Sequence, residues 1–226
     1  MPSAEPFVDT TAGEPPVQGF LHRAATTPCD GLVLTHGAGG NSKAALLVAL
    51  AEAVSAAGIS VSRCDLPFRQ KRPHGPPSPA NAKDDQEGLR RAAVLLREIA
   101  GGRVFLGGQS YGGRQTSMLA ASDPAVAQGL LLLSYPLHPP GKPQQLRSAH
   151  LPNLRIPTLF VSGTKDPFGS IEELESARAL IPAPTRLLPI EGAGHSLLTK
   201  HNQDELVSSV VAAFQELIKV DVLKPV

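Results

Sequence analysis

After residue 30 the chain alternates between short, continuously apolar runs and longer segments with helical spacing, and few architectures accept that pattern. The runs are Gly31–Thr35 (GLVLT), Ile59–Arg63 (ISVSR), Arg103–Gly107 (RVFLG), Gly129–Ser134 (GLLLLS), Pro157–Ser162 (PTLFVS) and Thr185–Ile190 (TRLLPI). A run that is apolar at every position suits a strand covered on both faces, which means a parallel sheet. Between the runs, Leu46, Leu47, Leu50 and Val54 recur at helical spacing over Lys43–Ala57, with Asn41 or Ser42 as cap and Gly58 as stop. Lys83–Ala100 repeats the theme through Leu89, Ala92, Leu96 and Ile99. Ser170 and Glu173 have the spacing of a capping box for a helix closed by Pro182, and Leu206, Val207, Val210, Val211, Phe214, Leu217 and Ile218 form the apolar stripe of a last helix. Strands and helices in this order predict right-handed crossovers and an α/β fold with one mostly parallel, doubly wound sheet. Residues 1–226 are read as one domain, with 1–30 irregular or an edge hairpin of PFVDT and VQGFLHRA across Gly13–Pro16.

Charge narrows the function classes. Basic and acidic side chains number 21 and 20, without the basic excess a general nucleic-acid binder needs. MPSAEPFVDT lacks the pattern of a signal peptide, and the richest apolar stretch, AALLVALAEAVSAAGI, is interrupted by Glu52, so no membrane span is expected and the cytoplasm is the expected location. Cys29 and Cys64 are read there as inert, reduced thiols. No cysteine has metal-binding spacing, and neither metal nor cofactor is expected. The expected partner is a small-molecule ester or thioester, with no nucleic acid and no membrane, and the chain a monomer or homodimer.

In an open parallel sheet, ligands bind beyond the carboxyl ends of the strands. The loops there hold His36-Gly37-Ala38-Gly39-Gly40, Asp65, Ser110, Asp166 and His195. Ser110 lies in FLGGQSYGGRQTSMLA, where an apolar run turns through Gly-x-Ser-x-Gly into a helix, and such a turn pushes a hydroxyl out of the fold. A hydroxyl becomes nucleophilic when an imidazole takes its proton, and a carboxylate must hold that imidazole in the right tautomer. His195 is the candidate base and Asp166 the candidate acid, with Glu191 as runner-up. The backbone N–H groups of Tyr111 and Ala38 are the candidate oxyanion donors. Gly108 and Gly112 are read as positions where a side chain would collide across the turn.

The substrate-lining candidates are His36, Gly37, Tyr135, His138 and Arg69, with His36 also shaping its turn. Arg114, one turn along the nucleophile's helix, is expected to pair with an acidic neighbour, the alternative being a substrate carboxylate. The Pro-rich loop Arg69–Pro79 is read as a solvated basic segment unless its cations attract an anionic substrate. His201 is read as solvated at the start of the last helix. Between Ser134 and Arg155 the connection is too short and proline-rich for a helical cap, which predicts an open site.

Over Gly31–Val220 the chain resembles the α/β-hydrolase superfamily. HGAGG, DLPF, GGQSYGGR, LSYPLHPPGKP and SGTKDPFG look like the small lidless group of testis-expressed-thirty-like hydrolases and a hydrolase-like subunit of a chromatin acetyltransferase complex. The compactness is similar to that of dienelactone hydrolases, which carry cysteine where this chain has Ser110. The resemblance implies the eight-stranded hydrolase sheet, with room for strands missing at the start, and a triad of Ser110, Asp166 and His195. The expected activity is serine hydrolysis of esters or thioesters. The alternatives are a catalytically weak interaction module and a nucleotide binder. The latter rests on a likeness of Gly37-Ala38-Gly39 and Asp65 to a dinucleotide fingerprint, in which Ser42 replaces the third glycine.

Overall fold

A computed structural model describes residues 4–199 and 201–220. The strands are β1 Glu5–Asp9, β2 Val17–His22, β3 Cys29–Thr35, β4 Ile59–Cys64, β5 Gly101–Gln109, β6 Leu130–Leu133, β7 Thr158–Gly163 and β8 Thr185–Ile190. They form one sheet in the order β1-β2-β4-β3-β5-β6-β7-β8. Pairing from β4 through β3 to β8 is parallel, whereas β2 runs antiparallel to both its neighbours. The sheet is therefore the full eight-stranded one, and no strand is missing at the start. The N-terminal hairpin is real, with Asp9 opposite Val17 and Gly13 at φ +83° in the turn. Only glycine adopts that φ without strain.

The helices are α1 Ala45–Ala56, α2 Pro67–Lys71, α3 Ala82–Ala100, α4 Tyr111–Ser122, α5 Ile171–Arg178 and α6 Gln203–Val220. Alternate residues of each strand serve opposite faces of the sheet. Leu32, Leu34, Phe105 and Leu131 pack under α1 and α6 with Leu47, Leu50, Val210 and Phe214. Val33, Leu106, Leu130 and Phe160 pack under α3, α4 and α5 with Leu89, Leu96, Leu119 and Leu174. This two-sided burial is why the central strands carry nearly continuous apolar runs.

Some boundaries differ from the sequence reading, each for a local reason. α1 begins at Ala45 behind Ala44, which offers no side-chain cap; the Asn41 side chain instead accepts from Lys43 N–H at 2.9 Å, closing a turn before the helix. α5 has the Ser170–Glu173 capping box but ends at Arg178, ahead of Pro182. Cys29 and Cys64 are both free. They lie at opposite ends of neighbouring strands, and burial pushes the Cys64 thiol up to about 12. Between Ser134 and Arg155 the only helical turn is the short Leu151–Asn153 segment, so nothing roofs the carboxyl end of the sheet there. Among the described residues, no helix is long and apolar enough to cross a membrane.

Candidate active site

Ser110 sits between β5 and α4 with φ 51° and ψ −115°, a backbone conformation that a non-glycine residue holds only when its surroundings over-determine it. Three glycines allow the crossing. A Cβ on Gly108 would lie 2.6 Å from the Gly112 backbone, one on Gly113 would lie 2.6 Å from Gly108 O, and one on Gly112 would lie 2.5 Å from His36 O. The first contact is across the elbow, as read from the sequence. Gly112 has a different function, since its missing side chain lets the His36–Gly40 loop lie against the elbow. Gly112→Ala is therefore expected to displace that loop, costing about 1–3 kcal/mol in urea unfolding and lowering turnover more than substrate binding.

The structure brings three separated side chains together. Ser110 Oγ is 2.8 Å from His195 Nε2, and His195 Nδ1 is 2.8 Å from Asp166 Oδ2 and 3.0 Å from Oδ1. An ionised carboxylate only accepts, so Nδ1 carries the proton and Nε2 accepts from the Ser110 hydroxyl. Asp166 reaches the ring from the turn after β7, and its Oδ1 also accepts from Phe168 N–H at 2.9 Å. The Phe168 ring stacks on His195 at 4.1 Å between centroids, a contact the sequence reading missed although Phe168 lies two residues beyond Asp166. Glu191 faces elsewhere: it is exposed, and its Oε1 is 3.5 Å from Thr164 Oγ1.

Two backbone donors complete the rim. Neither Ala38 N–H nor Tyr111 N–H has an acceptor among the described residues, and both residues line the cleft that contains Ser110. Their aim follows from neighbouring bonds. Gly37 O accepts from His36 Nδ1–H at 2.8 Å and from Gly40 N–H at 3.0 Å, and in a trans peptide the Ala38 N–H points the opposite way. His36 Nε2 accepts from Leu66 N–H at 3.1 Å, so the ring is neutral; burial lowers its pKa. The Tyr111 hydroxyl donates to Asp85 Oδ2 at 2.8 Å, anchoring the start of α4 to α3.

Several candidate lining residues lie elsewhere. The cleft, of about 680 Å³, is walled by Pro76, Pro77, Ser78 and Pro79 on one side and by Met118, Pro136, Arg147 and Phe168 on others. His36 is buried behind the oxyanion loop, where its two ring nitrogens are occupied by backbone, so it shapes the turn and does not line the cleft. Gly37 lies beside the nucleophile, its missing Cβ 3.4 Å from Ser110 Cβ. Tyr135 is buried against Phe160 with its hydroxyl donating to Arg147 O, and buried His138 meets Pro139 O and Glu173; neither reaches the cleft, because both pack inward beneath the proline-rich segment.

Arg69 is also corrected. Its guanidinium is buried and donates to the carbonyls of Ala38, Gly40, Arg72 and Gly75, so it braces the oxyanion loop against the proline loop. Lys71 pairs with Asp84, and Arg72 bonds Pro76 O. Apart from Arg69, the basic residues of the loop are exposed, as the solvated reading has it, and the loop presents prolines to the cleft. His201 is exposed and precedes α6.

Beneath α4, His150 Nε2 lies 2.8 Å from Ser117 Oγ, and burial with nearby Arg114 pushes its pKa down to about 4. A base depressed in the folded state is neutral there and must gain a proton on unfolding below its ordinary value. Its contribution is therefore fully present above about pH 6.5 and is lost as pH falls toward 4, at up to about 1.4 kcal/mol per unit. The stability difference between the native chain and His150→Asn, measured by urea unfolding, is expected to narrow over that interval. A constant difference would remove His150 from the acid response.

A family model described as an alpha/beta hydrolase domain matches residues 28–220. The fold is similar to that of a dienelactone hydrolase from Anabaena variabilis, with TM-score 0.74 and 21% identity, covering 95% of this chain and 98% of the other. It is similar, too, to an alpha-beta serine hydrolase homologue from Coxiella burnetii, with TM-score 0.73 and 18% identity, covering 92% and 96%. A segment of 56 residues is 46% identical to part of the polyketide synthase ThaQ of Burkholderia thailandensis; it makes up 25% of this chain and 3% of ThaQ.

Proposed function

The chain belongs to the alpha/beta hydrolase domain family, and from that premise we propose that it is a serine hydrolase acting on carboxylic esters or thioesters of small acyl groups. The observation that carries this reading is the unbroken hydrogen-bonded path from Asp166 through His195 to Ser110 Oγ, ending at a strained elbow beside two unengaged backbone donors.

Ser110 Oγ adds to the scissile carbonyl carbon while its proton passes to His195 Nε2, and Asp166 stabilises the resulting imidazolium. The carbonyl oxygen becomes an oxyanion held by Ala38 N–H and Tyr111 N–H, with the N-terminal dipole of α4 favouring the same charge. Collapse breaks the ester or thioester bond, and the departing alkoxide or thiolate takes the proton from His195. Water then attacks the acyl-serine, giving its proton to His195. Expulsion of Ser110 Oγ, reprotonated from the imidazolium, releases the acid. With no helical cap over the cleft among the described residues, selectivity rests on the proline wall and the residues opposite it.

A fluorophosphonate probe is expected to label the chain at Ser110, and p-nitrophenyl esters or acyl-CoA thioesters of graded length to be turned over. A folded chain that takes no label and turns over no ester would instead favour the interaction-module reading.

A further inference from the structure

The cleft beside Ser110 has an uneven chemistry. One wall is proline, and the other carries Arg114, Gln115 and Arg147. The sequence reading expects an acidic partner for Arg114, yet among the described residues neither Arg114 nor Arg147 takes part in an ion pair. Arg114 Nε is buried without an acceptor. The side chain of Arg147 has one weak bond, to Pro136 O at 3.3 Å. Gln115 is fully buried, and while its Oε1 accepts from Gln86 Nε2 at 2.9 Å, its Nε2 has no acceptor. Among the described residues, no carboxylate lines the cleft.

Two guanidinium groups, with no carboxylate among the described lining residues, give this part of the cleft an uncompensated positive charge. Buried donors without acceptors are costly, and two like charges lining one cleft add to the cost. Burial and the neighbouring Arg114 hold the Arg147 guanidinium below its ordinary pKa. An anion in the cleft would offset the charge of both guanidinium groups, and a planar guanidinium matches a carboxylate bidentately. The position is suitable for a substrate: Arg114 follows Ser110 by one helical turn, its N–H bonded to Ser110 O at 3.0 Å, which places its backbone about 6 Å along the axis.

Resting on the hydrolase reading, we infer that the substrate carries a carboxylate on its acyl side, bound by Arg114 and Arg147, so that the chain hydrolyses monoesters or thioesters of short dicarboxylic acids. The reaction adds one water across the acyl bond and leaves the distal carboxylate unchanged.

The test compares mono-p-nitrophenyl succinate, glutarate and adipate with neutral p-nitrophenyl esters of equal chain length. For the best-fitting chain length, the native protein is expected to favour the anionic ester by about tenfold or more in kcat/KM, the scale of one charged hydrogen bond. In Arg114→Met and Arg147→Met that ratio falls toward one, and Arg114→Lys restores part of it. Because the ratio is internal, a general loss of activity cancels. Calorimetric titration with free glutarate provides a second measurement without catalysis: the native chain binds it and the Arg114→Met/Arg147→Met variant, shown folded by circular dichroism, does not. Ser110 labelling with ratios near one at every chain length would overturn the carboxylate inference and leave the hydrolase reading standing. Without labelling the hydrolase reading falls, and the glutarate titration alone decides whether the anion site exists.

Discussion

Ser110→Ala is expected to reduce kcat for every ester by about 10⁴-fold or more, to abolish fluorophosphonate labelling, and to leave the fold intact. The two expectations separate because Ser110 does little for stability. Its hydroxyl makes one hydrogen bond, to His195, in a part-buried position, and such a bond contributes about 1 kcal/mol. The unusual φ of 51° is held by neighbours that the substitution leaves alone: Ser110 N–H donates to Leu133 O at 2.8 Å, and Arg114 N–H donates to Ser110 O at 3.0 Å. Residual hydrolysis should persist above the uncatalysed rate, since Ala38 and Tyr111 still offer donors to a water-derived oxyanion. The checks are steady-state rates on a p-nitrophenyl ester, probe labelling and a thermal melt on the same sample. A variant that keeps a tenth of native activity would show that another group performs the attack.

Much of this arrangement is legible in the sequence because the physics that fixes it is local. The central strands carry nearly continuous apolar runs, such as Leu32–Leu34, Val104–Leu106 and Leu130–Leu133, since helices cover both faces, and that requirement marks their places in the chain. The elbow is legible because Gly108 and Gly112 have no room for a Cβ, and the capping box because Ser170 and Glu173 satisfy each other within one turn. Once β5, β7 and β8 are parallel strands of one sheet, the residues just beyond their carboxyl ends share a rim. Ser110, Asp166 and His195 are adjacent for that topological reason.

What stays hidden depends on which partner a long polar side chain finds. Arg69 reads as one cation among several in an exposed loop, but folding turns it inward to four carbonyls, and no spacing rule reports acceptors as far away as Ala38 and Gly40. Arg114 shows the converse: the sequence reading expects an acidic partner for it, but its own helix has no Asp or Glu, and among the described residues no carboxylate pairs with it in space. Tyr135 and His138 follow a strand on the correct rim, but the chain packs them beneath it through Phe160 and Glu173. Rim position is set by topology; orientation into the cleft is set by tertiary packing.

The same distinction decides between the two acidic candidates, and Asp166→Asn is expected to lower kcat by about 10⁴-fold while Glu191→Gln changes it by less than about twofold. Asp166 Oδ1 already accepts from Phe168 N–H, so an asparagine is held with its oxygen on that donor and its amide toward His195. An N–H facing Nδ1 forces that nitrogen to accept, the ring proton moves to Nε2, and Nε2–H then opposes the Ser110 hydroxyl in place of receiving its proton. Geometry is preserved and the tautomer is wrong. Glu191 has no comparable route to the ring, since it is exposed and its polar contact is with Thr164. Kinetics of both variants on one neutral ester decide the matter, and an NMR measurement of the His195 tautomer separates lost orientation from lost folding. A severe loss in Glu191→Gln beside a mild one in Asp166→Asn would require the 191 loop to swing toward the imidazole during turnover, and would transfer the orienting function to Glu191.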